Sequence, residues 1–441
     1  MTTRPHIGLA PALAALSLFA CAAEPPQHVV LITVDTLRAD RIGAYGYAAA
    51  RTPNLDRLAA ESIRFSRAHA HSSRTLPSIA TLLTGLLPSG NQLYTNFGRL
   101  SDSIPTLSTR LQGEGFTTAA FIGNYALRES RRLSRGFDYY TQEFSASEGN
   151  RPQPENLAGP LTDSAIAWLD RTDPTRRSLL WVHYQEPHGP YSPPGSSVTD
   201  NPNKTHTTAE DSRQLPRNLT NSGLGGIPKY QWLGHGRLSE YSERYDGEIA
   251  EVDRHIGRLL DALRGRLDRT LLVFAADHGE AFGEENLFCA HGEGLGDALL
   301  HVPLLLRTPA ATPAVRDDLV RLIDIAPTVL ELLDFDTSGL PGTSLLRDLG
   351  DRALVTQVGS QPNRRWRAVR ADGYELRASG TSESEFRGRP GTEPASDAQQ
   401  TLAIRQRLEV LLESAAPWPE QNQPVVSDDA RAKLRALGYA D

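Results

Sequence analysis

The stretch Val29-Val30-Leu31-Ile32-Thr33-Val34-Asp35 is a short apolar, β-rich run that ends in a carboxylate. Further runs of this kind lie at 118–122, 179–184, 271–275 and 302–306, and most are separated by segments with helical spacing. Short β-rich runs that alternate with amphipathic helices are typical of α/β domains. The sequence therefore predicts an α/β fold with a mostly parallel sheet.

The spacing of apolar residues also predicts helices and a second, smaller sheet. The clearest helix runs from about Glu243 to Leu263, where apolar residues recur at helical intervals. Strand-like pieces between Leu354 and Leu376 are enough for a small C-terminal sheet. Another helix is predicted to run through Leu319, Leu322, Ile323, Ala326 and Leu330.

Three polar stretches interrupt these elements. Residues 145–160 and 195–226 are rich in Pro, Asn, Ser, Thr and Gly, and insertions of that size are usually functional loops or disordered. Residues 380–399 are interpreted as a linker before a last helical segment. Substrate specificity is expected to lie in the 195–226 loop.

Length and charge limit the possible functions. A chain of 441 residues with 39% apolar content can bury a sizeable core, so one large domain with a small appendage is the simplest organisation. The net charge is −7, and the basic residues are scattered among acidic ones. No basic run or stripe is present, which argues against a nucleic-acid partner.

The first 26 residues have the composition of an export signal. One early charge at Arg4 precedes an apolar stretch, and Leu18-Phe19-Ala20-Cys21 resembles the bacterial lipobox, whose Cys is lipid-modified. A periplasmic or cell-envelope lipoprotein anchored through Cys21 is favoured, and a plain secreted or periplasmic product and an uncleaved anchor remain open. With Cys21 set aside, only Cys289 is left, so no intrachain disulfide is available and Cys289 is interpreted as buried packing.

Polar residues cluster where several predicted strands end. Asp35 follows the first run, Glu186 and His188 follow the run 179–184, and Asp277-His278 follows the run 271–275. Ligand sites of open α/β sheets lie beyond the carboxyl ends of the strands, so these side chains could converge. Two carboxylates and an imidazole suit zinc or manganese better than calcium. Alternatively, each is a strand-end residue that hydrogen-bonds a loop.

The segment from Arg74 to Gly85 is interpreted as a loop that enters a helix. Pro77 suits the first turn and Gly85 the end of that helix. A helix start favours an anion, and the Thr75 hydroxyl beside a cation is suited to attack a phosphoryl or sulfuryl centre. The alternative is that Thr75 only caps the helix.

The order of these motifs resembles that of the sulfatase family in the alkaline-phosphatase superfamily, from His28 to nearly the end of the chain. The last segment, 433–439, also looks like a sulfatase tail. The motifs that carry the resemblance are Val34-Asp35-Thr36-Leu37-Arg38-Ala39-Asp40, Thr52-Pro53-Asn54-Leu55-Asp56, Thr75-Leu76-Pro77-Ser78, Pro187-His188-Gly189-Pro190-Tyr191, Tyr245-Asp246-Gly247-Glu248-Ile249, Asp277-His278-Gly279-Glu280 and His301-Val302-Pro303-Leu304.

The resemblance implies a large mixed sheet between helices and a small C-terminal antiparallel sheet. It implies a catalytic domain at 27–340 and a C-terminal subdomain with a helical tail at 341–441. It also implies that Asp35, Asp277 and His278 hold one or two divalent metal ions, with Thr75 touching the metal. Thr36 replaces a second Asp of many sulfatases and is at best a weak ligand.

Two departures from the sulfatase pattern concern the chemistry. Sulfatases carry a Cys or Ser that matures to formylglycine, followed four residues later by Arg, whereas this chain has Thr75 and Ile79. Threonine is a secondary alcohol and cannot become that aldehyde. The Gly-Lys-Trp-His segment of sulfatases is missing as well, because the corresponding strand continues as Phe121-Ile122-Gly123-Asn124-Tyr125.

The segment Asp277 to Gly292 and His188-Gly189-Pro190 also resemble the lipid A phosphoethanolamine transferases. In those enzymes the matching histidines bind substrate phosphate or a second zinc, so His188 and His291 are assigned to catalysis. Structural loop histidines are the alternative. The transferases also have an N-terminal membrane domain with no counterpart in this sequence, which favours hydrolysis.

The favoured function is therefore hydrolysis of a small anionic phosphate or phosphonate ester through Thr75, assisted by His188 and His291. The alternatives are a sulfatase that uses unmodified Thr75, a phosphoethanolamine-type transferase, and a non-catalytic lipoprotein that binds an anionic glycan or lipid head group.

Overall fold

The computed structural model describes residues 24–141, 143–144, 155–195, 214–309, 311–350, 352–358, 366–371, 374–379, 384–388, 398–414 and 432. Its strands are β1 His28–Val34, β2 Ile63–His69, β3 Thr117–Ile122, β4 Tyr139–Tyr140, β5 Ser178–Tyr184, β6 Thr270–Ala276, β7 Ala281–Phe282, β8 Phe288–Ala290, β9 Leu304–Arg307, β10 Ala314–Arg321, β11 Leu354–Val358, β12 Trp366–Ala371, β13 Tyr374–Ser379 and β14 Ser384–Gly388.

The α-helices lie mainly between these strands. They are α1 Pro53–Ala60, α2 Thr75–Thr84, α3 Pro88–Asn91, α4 Leu107–Gly113, α5 Ala158–Arg171, α6 Leu238–Leu263, α7 Asp297–Leu300, α8 Ile325–Leu332 and α9 Ala398–Ser414.

The main sheet has eight strands in the order β10-β2-β9-β6-β1-β5-β3-β4. Its pairs are parallel except for those on either side of β9, which runs antiparallel to both β2 and β6. The predicted α/β fold with a large, mixed and mostly parallel sheet is therefore confirmed.

The central strand β1 positions the site, because it pairs in parallel with β5 and β6. All residues of these three strands are buried, as expected for a sheet covered on both faces. The parallel register continues past the strand ends, where Asp35 N donates to Tyr184 O at 3.0 Å and Asp277 N donates to Val34 O at 3.3 Å. The two aspartates thus leave neighbouring strands at the same edge.

The smaller sheet is antiparallel, in the order β11-β12-β13-β14. Helix α9 packs on it through Leu408 and Leu412, which share an apolar cluster with Val369 and Leu376. The predicted small C-terminal sheet is confirmed, and α9 agrees with the expected last helical segment. The predicted linker at 380–399 is partly wrong, because Ser384–Gly388 within it forms the edge strand β14.

One predicted helix is partly wrong. Leu319 lies in the edge strand β10, which pairs with β2, and the helix α8 begins only at Ile325 after a 3-10 turn at Leu322–Asp324. The leucines in this strand and in the turn after it recur at helical intervals, so periodicity alone could not distinguish the strand from a helix. Two other bounds differ less. The helix predicted from about Glu243 begins earlier, at Leu238, and the strand predicted from residue 302 begins later, at Leu304.

Several predictions fall outside the described residues, including the lipobox at Cys21 and most of the two polar loops. Cys289 is buried, as expected. Within the described part of the chain, no helix is both long and apolar enough to cross a membrane.

The long helix α6 fixes the turn that follows β1. Its buried Tyr245 donates from the hydroxyl group to Thr36 O at 2.7 Å and accepts from Arg38 N at 3.1 Å. Asp253, two turns further along α6, accepts from Leu55 N at 2.8 Å and so holds the start of α1. These bonds join the motifs that begin at Val34 and Thr52 to the helix that contains the motif at Tyr245.

We expect Tyr245→Phe to lower the free energy of unfolding by about 1–3 kcal/mol, because two buried backbone groups lose a partner. Urea denaturation measures the change. Tyr139→Phe is the matched control, since Tyr139 is 46% exposed, and should change stability by less than about 0.5 kcal/mol. Equal stability of Tyr245→Phe and the parent protein would contradict this role.

Candidate metal centre and active site

Asp35, Asp277 and His278 form a cluster that is fully buried at the carboxyl ends of β1 and β6. Each residue offers a ligand atom within 4.8 Å of the others. His278 Nε2 lies 3.5 Å from Asp277 Oδ2 and 3.7 Å from Asp35 Oδ1. The sequence prediction that these three residues converge is thus met by the structure.

Hydrogen bonds orient each of these side chains. Asp277 Oδ1 accepts from Thr36 N at 3.2 Å and from His278 N at 2.7 Å, while Asp35 Oδ2 accepts from the Asn124 side chain. His278 Nδ1 lies 2.9 Å from Gly279 O, so the proton belongs on Nδ1. The lone pair of Nε2 is then directed at the carboxylates, as metal-ligating histidines require.

The electrostatics of the cluster fit a cation. Burial raises the pKa of Asp35 to about 7 and the pKa of Asp277 well above its usual value, and burial lowers the pKa of His278. Among the described residues, neither Asp35 Oδ1 nor Asp277 Oδ2 has a hydrogen-bond partner. Two buried carboxylate oxygens and an imidazole lone pair suit a divalent metal, whose positive charge would offset the charge of the two carboxylates.

Thr75 is the first residue of helix α2, and it lies beside this cluster. Its Oγ1 is 3.5 Å from His278 Nε2. Arg74, not Thr75, occupies the N-cap position, so the helix start does not use the Thr75 hydroxyl as its cap. Gly85 ends the helix in a left-handed conformation with φ +67°, as expected.

Helix α2 is rigidly held, since every residue from Thr75 to Thr84 is buried. Leu76 N donates to Asn96 Oδ1 at 2.8 Å, and Ser78 Oγ donates to Asp277 O at 2.5 Å. The second bond joins the segment after Thr75 directly to a cluster residue. The Thr75 hydroxyl is therefore fixed relative to the candidate ligands.

His188 and His291 lie next to the cluster, as the sequence predicts. The ring of His291 is 4.6 Å from that of His278 and 5.0 Å from that of His188, centre to centre. His291 Nδ1 lies 3.1 Å from Glu280 Oε1, and Tyr191 donates to the other oxygen of Glu280 at 3.0 Å. A carboxylate that orients an imidazole in this way suits it to proton transfer.

Sequence reasoning missed several residues of the site. Asn124 orients Asp35, Glu280 orients His291, and the buried His183 has Nε2 only 3.9 Å from Asp35 Oδ2. A histidine inside the apolar run 179–184 was a visible signal for the last of these.

Glu186 was expected to converge with the other strand-end residues, but it does not join the cluster. Its side chain accepts from Ala158 N at the start of α5, at 2.9 Å.

A large mixed sheet that brings a buried Asp-Asp-His cluster and a helix-start hydroxyl to its carboxyl edge is the arrangement expected of an α/β hydrolase with a candidate metal site. The sequence pattern of the Sulfatase family matches residues 27–335, so the chain belongs to the sulfatase family and is a hydrolase that acts on ester bonds.

The proteins that are similar to this chain include sulfatases and a phosphonate monoester hydrolase. The uncharacterized sulfatase YidJ of Escherichia coli is 25% identical, over 75% of this chain and 72% of its own length. The N-acetylglucosamine-6-O-sulfatase of Bacteroides thetaiotaomicron is 24% identical, over 78% and 75%. The phosphonate monoester hydrolase of Agrobacterium radiobacter has the same fold, with a TM-score of 0.69, 21% identity and coverage of 89% and 96%.

We expect Asp277→Asn to lower metal affinity by more than about a hundredfold, because a direct ligand should matter more than its orienting partner. Metal content after dialysis measures the loss. Asp261→Asn is the matched control, since its side chain is 57% exposed and remote from the cluster, and it should keep full metal content. Full metal retention by Asp277→Asn would exclude this residue as a ligand.

Proposed function

We propose that this chain hydrolyses phosphate- or phosphonate-type esters with Thr75 as the nucleophile. The observation that carries the proposal is the position of Thr75 Oγ1, which lies 3.5 Å from His278 Nε2 in the candidate metal cluster. An unmodified hydroxyl is the nucleophile that threonine can offer. Similarity of the fold to phosphonate monoester hydrolases supports the same class of substrate.

The positions that carry cations in sulfatases are neutral in this chain. Ile79 is completely buried within α2, and Asn124 donates its side-chain N–H to Asp35. The site therefore lacks two groups expected to bind sulfate, and this favours phosphorus over sulfur.

Asp35, Asp277 and His278 would hold the divalent cation, for which their oxygen and nitrogen atoms favour zinc or manganese over calcium. When bound, such a cation lowers the pKa of an adjacent hydroxyl and offsets negative charge on the transferred group.

The remaining chemistry belongs to the side chains. Thr75 Oγ1 releases its proton to solvent, attacks phosphorus and forms a Thr75–phosphorus ester, while the bond to the leaving-group oxygen breaks. His291, oriented by Glu280, or its neighbour His188 gives a proton to that oxygen. Water then attacks phosphorus, and the Thr75 oxygen leaves with a proton.

A sulfatase that uses unmodified Thr75 is the second candidate. It is supported by family membership and by the similarity to an N-acetylglucosamine-6-O-sulfatase. A panel of p-nitrophenyl sulfate, phosphate, phosphodiester and phosphonate esters separates the two candidates. Sulfate as the best substrate would decide for the sulfatase.

We expect Thr75→Ala to lower kcat by at least about a thousandfold, because loss of a nucleophile removes the covalent route. Metal content should stay unchanged, since the three proposed ligands remain. Thr75→Ser keeps a hydroxyl and serves as the matched variant, with activity well above that of Thr75→Ala. Unchanged turnover by Thr75→Ala would exclude the mechanism.

We also propose that the protein is exported as a lipoprotein of the bacterial cell envelope, on the strength of the lipobox-like Leu18-Phe19-Ala20-Cys21. Cys21→Ser should abolish incorporation of labelled palmitate into the protein in growing cells. Ala22→Ser is the control and should keep the label. Absence of label in the parent protein would contradict lipidation.

A further inference from the structure

We propose that Arg74 binds the charged oxygens of the substrate ester and replaces the cations that Ile79 and Asn124 do not supply. This inference rests on the proposed function, because it assigns the anion-binding group of that same site. Its chemistry suits a substrate with at least two non-bridging oxygens on the reacting centre, since a guanidinium donates two parallel hydrogen bonds.

The position of Arg74 is the first argument. It directly precedes Thr75 and is the N-cap residue of α2, so its backbone is fixed by the same buried helix as the nucleophile. The helix start adds a favourable field for an anion at the same place. The side chain of Arg74 therefore starts from the residue next to the proposed nucleophile.

The packing of the guanidinium is the second argument. A Cβ atom at position 292 would lie 3.2 Å from Arg74 Cζ and 3.4 Å from Nη1, so the guanidinium rests against the backbone of Gly292. Gly292 has φ +86° and directly follows His291, whose ring is 4.6 Å from that of His278. Glycine at 292 thus leaves room for a cation on the side of the site formed by His291.

The burial of this charge is the third argument. Arg74 is only 3% exposed, and a buried guanidinium is costly unless negative charge offsets it. The carboxylate of Glu293 offsets part of that cost. A bound anionic ester would add negative charge beside the guanidinium.

Binding of inorganic phosphate to the metal-loaded protein tests the proposal without relying on turnover. Isothermal titration calorimetry should show phosphate binding weakened by about tenfold or more in Arg74→Gln, and less in Arg74→Lys, which keeps the charge. Arg266→Gln is the matched control. Arg266 is half-buried and donates to Leu169 O and Thr172 O. It lies just before β6, at the amino ends of the parallel strands, so its loss should leave phosphate affinity unchanged.

Two further measurements separate anion binding from a structural role. Guanidinium chloride, far below denaturing concentrations, should partly restore phosphate binding to Arg74→Ala, because the free cation can occupy the vacated space. Glu293→Gln should bind phosphate more tightly than the parent protein, since Arg74 then loses a competing anion. This variant keeps the test open if the Arg74 variants fail to fold.

Phosphate affinity within twofold of the parent in Arg74→Gln, at matched metal content, would overturn the proposal. So would weaker phosphate binding by Glu293→Gln. Phosphate binding that depends on Arg74 in a protein that cleaves none of the esters would instead reject the proposed function and leave the anion site standing.

Discussion

The burial of two carboxylates side by side, at the ends of β1 and β6, is the constraint on which the rest of the site depends. Asp35 and Asp277 are completely buried, and burial raises the pKa of both. Such a pair is unfavourable without a cation or protons. The surrounding structure fixes it nonetheless, through backbone N–H groups, Asn124 and the α6 residue Tyr245, which holds the turn at Thr36.

The elements that could be predicted from sequence are those whose signal is local. Each of β1, β5 and β6 is an apolar run followed by a polar residue, so their pairing at one sheet edge was expected. The start of α2 at Thr75 and its end at Gly85 followed from turn chemistry. The strand β10 was mistaken for helix, because its partner β2 is far away in sequence and supplies no local pattern.

The parts of the site that were missed depend on contacts across the fold. Asn124 reaches Asp35 from the end of β3, two strands away from β1. Its position after the apolar run 118–122 was a local signal for the sheet edge, but its partner could not be predicted from that position. Glu280 was seen as part of a motif, but its role depends on the return of the chain to His291. Motif order predicted which residues would meet, whereas hydrogen-bond partners required the coordinates.

The departures from the sulfatase pattern at Ile79 and Asn124 have the same consequence for the site, because neither residue carries a positive charge. Ile79 lies in the buried helix α2 and Asn124 orients a carboxylate, so neither can bind a substrate oxygen as a cation would. A site that lost only one cation could still hold its anion through the other. With both cations absent, next to a threonine that cannot form the sulfatase aldehyde, the charge of the ester would need another positive group, and the proposal assigns that role to Arg74, the buried N-cap residue of α2.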